Sequence, residues 1–393
     1  MEIQAGVGIS HHRNPVVAGK EAVEKAREMA GIEKANFVII FGTVGYDQER
    51  LVKSVREATD GAPLCGCSGE GVIVGDEADE SNFSVAVLLI RSSDIQFTNG
   101  ITTGLEEDSG DVGRRVADAV RPEVSSDTLG LFLLMDGLKL NFDLFAKEFE
   151  RHLDLGRFLP LFGGTSSDNL EFKATYQYCN DTVETDGVAW ALISGQAQVA
   201  WAVNHGCFPI GVEHEITRCD GNIIYELDNK PALEVLKSYI SELETWSQSV
   251  TALTLGFKVS GGKENEEYII RAITGGMDEE KGFITIPTEV EEGTSIWMTR
   301  RDHEKITNGI NEIADKVKGE LDGNSPQLIF QFDCAGRGKS FFREEEKLQL
   351  LKTLRQKIGC DVPWIGLYTY GEICPVQERN SFHNFTAVLV TIY

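Results

Sequence analysis

Four groups of polar side chains lie in turns that follow apolar runs, and their types suit the binding of a small charged ligand. They combine carboxylates with an arginine, so that each charge of a zwitterion would find an opposite partner. A structural role is the alternative: the glycines form tight turns, and the acidic and basic side chains pair with each other. The groups are Ser68 and Glu70; Thr165, Ser166 and Asp168; Cys334 and Arg337; and Tyr370, Glu372 and Asn384.

The turns belong to a pattern that occurs three times in the chain. A proline is followed three residues later by a glycine at Pro63/Gly66, Pro160/Gly163 and Pro363/Gly366. Such internal repetition indicates a repeated supersecondary unit. Because turns at the carboxyl ends of strands carry the binding residues of α/β sheets, these turns are expected to converge on a site, or to be the remnant of an ancestral one.

The spacing of apolar residues predicts the elements that position these turns. The expected strands are 3–9, 37–41, 63–67 and 83–90; 95–101, 129–134, 160–162 and 188–193; and 295–299, 328–332, 363–367 and 385–392. The expected helices are 16–30, 48–58, 108–120, 142–153, 302–321 and 343–357. The predicted fold class is α/β, with layered mixed sheets built from repeated β-α-β-α-β-β units in two domains.

Residues 197–290 interrupt the repeats. They read mainly as antiparallel strands, with a hairpin turn signal at Asp220-Gly221-Asn222, a further turn at 260–262 and one helix at 232–243.

Composition narrows the possible partners. The 393 residues carry 37 Lys and Arg against 62 Asp and Glu, a formal charge of −25. Nucleic acid and anionic membranes are therefore not expected as partners, since both are bound through basic surfaces. The amino terminus lacks the features of a signal peptide, no apolar run has the length of a membrane span, and eight cysteines in so long a chain are not a disulfide framework. A cytoplasmic location is predicted.

Two motifs resemble familiar sites but are incomplete. The run from Asp333 to Ser340 ends in Gly-Lys-Ser like a phosphate-binding loop, yet Asp333 holds the place of the first glycine and would repel phosphate. Cys65 and Cys67 form a Cys-x-Cys without the second pair that a structural zinc site needs, so no metal site is predicted.

Two other chemistries stay open. A cysteine nucleophile with a histidine base is conceivable through Cys334 with His383, or Cys207 with His205. Haem ligation through a cysteine or through His205, His214 or His383 would be non-covalent, because no Cys-x-x-Cys-His motif occurs.

Seven collinear motifs also resemble the FIST N and FIST C domain family. They are GCSGEGVI, FGGTSSDN, NIIYELDNKPALEVL, YIIRAI, FDCAGRG, GLYTYGEI and FHNFTAVLV. The resemblance implies domains at 1–215 and 216–393, and an intracellular sensory module that binds small ligands such as amino acids; some relatives are associated with haem and nitric oxide sensing. The motif residues carried over are Gly66, Ser68 and Glu70; Gly163, Gly164 and Asp168; Cys334, Ala335, Gly336 and Arg337; and Tyr370, Gly371, Glu372, His383 and Asn384.

The resulting expectation is a stand-alone sensor. Arg337 is expected to pair with a ligand carboxylate, and Glu70 or Glu372 with its amine. Since the chain ends three residues after Val390, with no output domain, the signal is expected to pass to a separate partner protein. A haem-based gas sensor and a cysteine-dependent enzyme are the alternatives.

Overall fold

The computed structural model describes residues 3–240, 253–258, 268–278 and 282–393. The first repeated unit runs from Ile3 to Ser92. Its strands are β1 (Ile3–Ser10), β2 (Phe37–Gly42), β3 (Leu64–Ser68), β4 (Gly71–Val74), β5 (Glu77–Asp79) and β6 (Val85–Ser92). Its helices are α1 (Pro15–Ala30) and α2 (Gln48–Ala58).

The second unit repeats this order. Its strands are β7 (Ile95–Thr103), β8 (Thr128–Met135), β9 (Leu161–Thr165), β10 (Gln177–Cys179), β11 (Thr182–Glu184) and β12 (Gly187–Gly195). Its helices are α3 (Leu105–Val120) and α4 (Phe142–Leu153), with a 3-10 turn at Arg121–Glu123.

The third unit is divided by an insert between its first strand and its first helix. The first strand is β13 (Val199–Asn204). The insert contains β14 (Cys207–Asp220), β15 (Ile223–Leu227), β16 (Lys230–Pro231), α5 (Ala232–Lys237), β17 (Leu253–Lys258), β18 (Tyr268–Ala272), β19 (Thr274–Asp278), β20 (Phe283–Thr285) and β21 (Ser295–Arg301). The unit resumes with α6 (His303–Leu321), β22 (Leu328–Cys334), a 3-10 turn (Ala335–Arg337), α7 (Glu344–Ile358), β23 (Trp364–Thr369), β24 (Glu372–Val376), β25 (Arg379–His383) and β26 (Ala387–Ile392).

The three units build three sheets with one strand order. The sheets run β1-β6-β2-β3-β10-β11, β7-β12-β8-β9-β24-β25 and β13-β26-β22-β23-β4-β5. In each sheet the third and fourth strands are parallel and the other pairs are antiparallel. The last two strands of each sheet are a hairpin from another unit: the second unit supplies the first sheet, the third supplies the second, and the first supplies the third. This cyclic exchange gives the body of the protein a pseudo-threefold arrangement.

One apolar core fills the space between the three sheets. Phe132 of the second unit lies 4.6 Å, ring centre to ring centre, from Phe330 of the third and 6.0 Å from Phe332, and Phe332 is 6.4 Å from Phe41 of the first. On the outer face of each sheet a helix pair packs over a separate cluster. Apolar burial on both faces accounts for the near-continuous hydrophobic runs of the central strands. The α/β fold with mixed sheets and repeated units is confirmed.

The predicted start of the third unit is wrong. Val199–Asn204 is its first strand, since it pairs with β26 as β1 pairs with β6. Ser295–Arg301 instead pairs with β14 and β17 in the eight-stranded sheet of the insert. Both segments alternate like half-buried strands, so periodicity alone could not tell which sheet each one joins.

Other predictions are wrong in part or are left without a test. The turn at 260–262 lies outside the described residues. The helix expected at 232–243 ends at Lys237, so its predicted length is wrong at residues 238–240, and residues 241–243 lie outside the described residues. The division of the chain at 215 and 216 also stays a prediction. Within the described ranges, no helix is both long and apolar enough to span a membrane.

Candidate functional site

The three repeated turns meet at one end of the central core. Ser68 donates its hydroxyl to the Ser167 carbonyl oxygen at 2.8 Å, and the Ser167 hydroxyl donates to the Tyr368 carbonyl oxygen at 2.9 Å. The Thr165 amide donates to the Gly371 carbonyl oxygen at 2.7 Å. The predicted convergence of the turns is therefore confirmed, whereas their role in ligand binding stays a prediction.

The repeated glycine of each unit is required by the close approach of two strands. A Cβ at Gly66 would lie 2.1 Å from the Ile40 carbonyl oxygen, and one at Gly163 would lie 2.0 Å from that of Leu133. Gly164 is also confined, though less tightly, because its Cβ would lie 2.8 Å from Cγ2 of Thr369. These glycines serve strand packing, and any role of Gly164 in binding would be through its backbone.

Asp168 organises the loop of residues 166–176, which lengthens the turn of the second unit. Its buried carboxylate accepts hydrogen bonds from the amides of Phe172 at 2.9 Å, Lys173 at 2.6 Å and Ala174 at 3.0 Å. The Tyr370 hydroxyl donates to the same carboxylate at 2.5 Å. The oxygens of Asp168 are thus already used within the chain, as in the structural alternative.

The same loop holds unusual backbone angles beside the turns. Asn169, Leu170 and Phe172 have φ of 57°, 59° and 52°, a left-handed conformation that is costly for bulky side chains. Phe172 is 63% exposed and stacks on Tyr370 with ring centres 4.9 Å apart. Tyr370 therefore stabilises the loop in two ways: its ring stacks on Phe172, and its hydroxyl donates to Asp168.

Glu372 is a fully buried carboxyl that is held by hydroxyl groups. Its oxygens accept from the hydroxyls of Thr369 at 2.6 Å and Thr386 at 2.7 Å. Burial raises the pKa of Glu372 to about 8, although these hydrogen bonds oppose the rise. The group is therefore mainly uncharged at neutral pH and is a weaker candidate for an amine than a carboxylate would be.

Asn384 connects the turns to the insert. Its side-chain amide donates to the Tyr370 carbonyl oxygen at 3.1 Å, and its Oδ1 accepts from the Ala272 amide at 3.0 Å. The Asn384 backbone amide donates to the Ile270 carbonyl oxygen at 3.1 Å. Asn384 thus joins β18 of the insert to the turn after β23.

Arg337 is buried and only partly partnered. Its Nε donates to Oδ1 of Asp333 at 2.7 Å, so the expected acid-base pairing does occur, but within one turn. Its Nη1 is buried and has no hydrogen-bond acceptor among the described residues. A guanidinium N–H left in this state costs about 1–3 kcal/mol unless a ligand satisfies it.

Glu70 is the second charged group with unused capacity. It is fully buried, and within the described residues neither carboxylate oxygen accepts a hydrogen bond of good geometry. Lys339 lies close by, with its Nζ 3.0 Å from Oε1 of Glu70. Burial raises the pKa of Glu70, and the nearby Lys339 ammonium and Leu170 amide oppose that rise.

Two residues missed by the sequence analysis complete this cluster. Glu80 accepts from the Lys339 amide at 2.9 Å and from Nζ of Lys347 at 2.6 Å, and its carbonyl oxygen accepts from Nζ of Lys339 at 3.0 Å. Lys347 is buried on the apolar stripe of α7 that continues through Leu351. A lysine on such a stripe is the one signal that could have revealed the pair.

The run from Asp333 to Ser340, which resembles a phosphate-binding loop, makes structural contacts instead. Lys339, its supposed phosphate ligand, is held by Glu80 and Glu70, and Asp333 accepts from Arg337. Arg301 of the insert stacks on Phe341 with its guanidinium carbon 4.3 Å from the ring centre and bonds to the Gly336 carbonyl oxygen. The loop is therefore a junction between the insert, the first unit and the third unit.

The cysteines considered as nucleophiles are not activated. Burial raises the pKa of Cys334 well above its ordinary value and that of Cys207 to about 12, so both are protonated thiols at neutral pH. His205 accepts from the Cys207 amide at 2.8 Å through Nδ1. Within the described residues, no group of three or more His, Cys, Asp and Glu is placed to hold a metal ion.

Two of the histidines considered as haem ligands do not fit that role. His383 is buried, with Nε2 bonded to the Cys374 carbonyl oxygen at 2.9 Å. His214 uses both ring nitrogens, with Asp228 at 2.6 Å and with the Tyr239 hydroxyl at 2.7 Å. Haem ligation would break these bonds in a packed interior, so no step of the proposed function includes haem.

Comparison with known protein families finds two matches that together span most of the chain. The FIST N domain model matches residues 36–230, and the FIST C domain model matches residues 232–375.

Comparison with individual proteins gives distant relatives. An uncharacterised protein of Mycobacterium tuberculosis is 27% identical over 397 residues, covering 98% of this chain and 98% of the relative. An uncharacterised protein of Methanocaldococcus jannaschii is 26% identical over 417 residues, covering 96% of this chain and 77% of the relative. Among solved structures, a chorismatase and the cyanuric acid hydrolase of A. caulinodans each match at 10% identity with a TM-score of 0.38, covering 99% or more of both chains. Scores this low indicate nothing about activity.

Proposed function

We propose a ligand class and a binding site for this chain, which belongs to the family of proteins built from a FIST N and a FIST C domain. Domains of this family are sensory domains in signal transduction. The proposed ligand is a small zwitterion of the amino-acid type. Its site lies where the turn after β3 of the first unit meets the loop after β22 of the third, and the signal passes to a separate partner protein.

The observation that carries this proposal is a pair of opposite, buried charges with unused hydrogen-bonding capacity. Among the described residues, Arg337 has no acceptor for its Nη1, which can bind a carboxylate, and Glu70 has no hydrogen bond of good geometry, although Lys339 lies 3.0 Å from it in the position proposed for a ligand ammonium. Both lie beside Tyr368: the Glu70 amide donates to the Tyr368 carbonyl oxygen at 2.9 Å, and the Arg337 charge opposes the rise that burial causes in the pKa of Tyr368. A ligand with both charges offers an opposite partner to each group.

The position of the site supports a route from binding to signalling. Its two charged groups come from different units, and the loop that carries Arg337 is also held by Arg301 of the insert. If the two units can adopt two relative arrangements, a ligand that bridges them favours the arrangement in which it makes the better contacts. The surface that the partner protein recognises is expected to include the insert, because the insert is joined to the turns by Asn384.

A cytoplasmic location is part of the same proposal. All eight cysteines are free thiols, six of them buried, which suits a reducing compartment.

Isothermal titration calorimetry with a panel of L-amino acids tests the ligand class. Each amino acid is compared with its decarboxylated amine and its deaminated acid, which lack one of the two charges. Binding of the zwitterion alone is expected, and Arg337→Lys or Glu70→Gln should weaken it roughly 10- to 100-fold, the effect of losing one charge-assisted hydrogen bond of about 1.5–3 kcal/mol.

The matched control is Arg151→Lys, at an exposed arginine that pairs with Glu148 of its own helix. This variant should bind as the wild type does. Unchanged affinity in both site variants, or equal binding of the amine and acid analogues, would overturn the proposal.

A further inference from the structure

Lys339 is placed on Glu70 in the way a ligand ammonium would be. Its Nζ lies 3.0 Å from Oε1 of Glu70 and donates to the Glu80 carbonyl oxygen at 3.0 Å. The two partners differ in accessibility: the Glu70 side chain is fully buried, whereas the Lys339 side chain is 41% exposed. The ammonium can therefore leave toward solvent, while the carboxylate cannot follow it.

A cavity adjoins this ion pair. Its volume is about 390 Å³, and its wall includes Lys339 together with the edge hairpin of the first unit. This volume falls within the range of small-molecule sites, which is roughly 300–1,000 Å³. The cavity therefore has room for a metabolite beside the exposed end of Lys339.

The walls of the cavity carry more negative than positive charge. The charged lining residues are Glu77, Asp79, Glu80, Glu344 and Lys339, and His11 also lines the cavity. Asp79 is engaged by His11 at 2.5 Å, whereas Glu80 and Glu344 share the Lys347 ammonium at 2.6 Å and 2.8 Å. Once Lys339 is displaced, its carboxylate neighbours leave an electrostatic potential that attracts a cation.

We propose that Lys339 occupies the place of a ligand ammonium group, and that a primary ammonium compound entering this cavity exchanges with it on Glu70. The inference rests on the proposed function only in taking Glu70 as the ammonium-binding group. It adds the identity of the competing group, the route of entry and the requirement for a primary ammonium. A primary ammonium supplies the same N–H donors for Glu70 and the Glu80 carbonyl oxygen, whereas a quaternary ammonium supplies none.

The exchange also gives the loop after β22 two states. In one state Lys339 binds Glu70, and in the other its side chain is released while its backbone amide stays on Glu80. Because Arg337 lies two residues earlier in the same loop, the Lys339 side chain is released next to the group expected to bind the carboxylate.

Chemical rescue of Lys339→Ala tests the exchange. Thermal unfolding of the full chain is followed with methylammonium, propylammonium, tetramethylammonium or sodium chloride at equal ionic strength. The variant should melt below the wild type, and the two primary ammonium salts should raise its melting temperature in a saturable way. The other two salts should not do so, and Lys339→Ala combined with Glu70→Gln should show no specific rescue. Equal effects of all four salts, no rescue, or full rescue in the double variant would overturn the inference.

Calorimetric titration of propylammonium into the wild type and Glu70→Gln covers the case in which Lys339→Ala does not fold. The wild type should bind it with an affinity that Glu70→Gln lowers at least about tenfold, and equal affinities would overturn the inference. The result is separable from that of the proposed function. If the protein binds amines but not amino acids, only the hypothesis of a zwitterionic ligand is rejected. If it binds amino acids but amines do not rescue Lys339→Ala, only the hypothesis of exchange with Lys339 is rejected.

Discussion

The turn of the first unit faces the second unit on one side and the third on the other, and the two sides differ in how their polar groups are satisfied. Toward the second unit, the Ser68 hydroxyl both donates to the Ser167 carbonyl oxygen and accepts from the Tyr176 amide. Toward the third unit, the Glu70 carboxylate has a charged neighbour but no well-formed hydrogen bond among the described residues. Buried polar groups are normally satisfied, so Glu70 is the residue at which the proposed binding role can be tested against a structural one.

The strongest test of the satisfied side is Asp168→Ala. Removing this carboxylate leaves three loop amides and the Tyr370 hydroxyl without their acceptor. We expect the free energy of unfolding to fall by about 3 kcal/mol, measured by urea denaturation.

The matched variant is Tyr370→Phe, which removes only one of these bonds and should cost about 1 kcal/mol. If Asp168→Ala were no more destabilising than Tyr370→Phe, the hydrogen bonds of Asp168 would not be what stabilises the loop. The contrast between the two sides of the turn would then be weaker.

Glu372 provides a test by pH, because it is buried without being charged. Its pKa of about 8 in the folded protein lies above the ordinary value of 4.5. Between those values the folded state holds a proton that the unfolded state releases, so stability falls as the pH rises, by up to roughly 1.4 kcal/mol per pH unit. Below about pH 4.5 and above about pH 8 this contribution should be constant.

The measurement is urea denaturation of the wild type and Glu372→Gln from pH 5 to pH 9. The difference in stability between the two proteins should change in favour of the variant up to about pH 8 and then level off. Parallel curves across the whole range would mean that Glu372 titrates near its ordinary value, and would place a third charged carboxylate at the turns.

The sequence was informative where local pattern decides structure. The helices at 48–58 and 142–153 have their predicted bounds, because an apolar stripe starts directly after Asp47 and Asn141, whose side chains cap the first turns. The convergence of the turns also followed from the repeats. The exchanged hairpins did not, since strands such as Gln177–Cys179 are short and find their partners in another unit.

The candidate site was predictable in its residue types but not in its pairings. Arg337 pairs with Asp333 four residues away, a contact within reach of sequence reasoning. Glu80 instead meets Lys339 across 259 residues, and only the hairpin exchange brings them together. Whether a carboxylate is satisfied or left for a ligand depends on such distant contacts, which is why Asp168 and Glu70 looked alike in the sequence.

The smallest expected effect is the most discriminating one. Glu70→Gln should change the free energy of unfolding by less than about 1 kcal/mol, or increase it, because the wild-type carboxylate is buried without hydrogen bonds of good geometry and its partner Lys339 is partly solvated. The control is Glu80→Gln, a carboxylate that accepts from a buried lysine at 2.6 Å and from a backbone amide. That variant should lose about 3 kcal/mol, since it removes the buried negative charge that balances the Lys347 ammonium and leaves only the exposed carboxylate of Glu344 beside it among the described residues.

Urea denaturation of both variants at pH 7 distinguishes a structural role of Glu70 from a binding role. A large loss in Glu70→Gln, equal to that in Glu80→Gln, would make Glu70 one more structural ion pair, and the contrast between the two sides of the turn would disappear. A near-neutral change in stability, together with weakened ligand affinity in the calorimeter, is what a residue retained for binding should give, because folding does not need its charge.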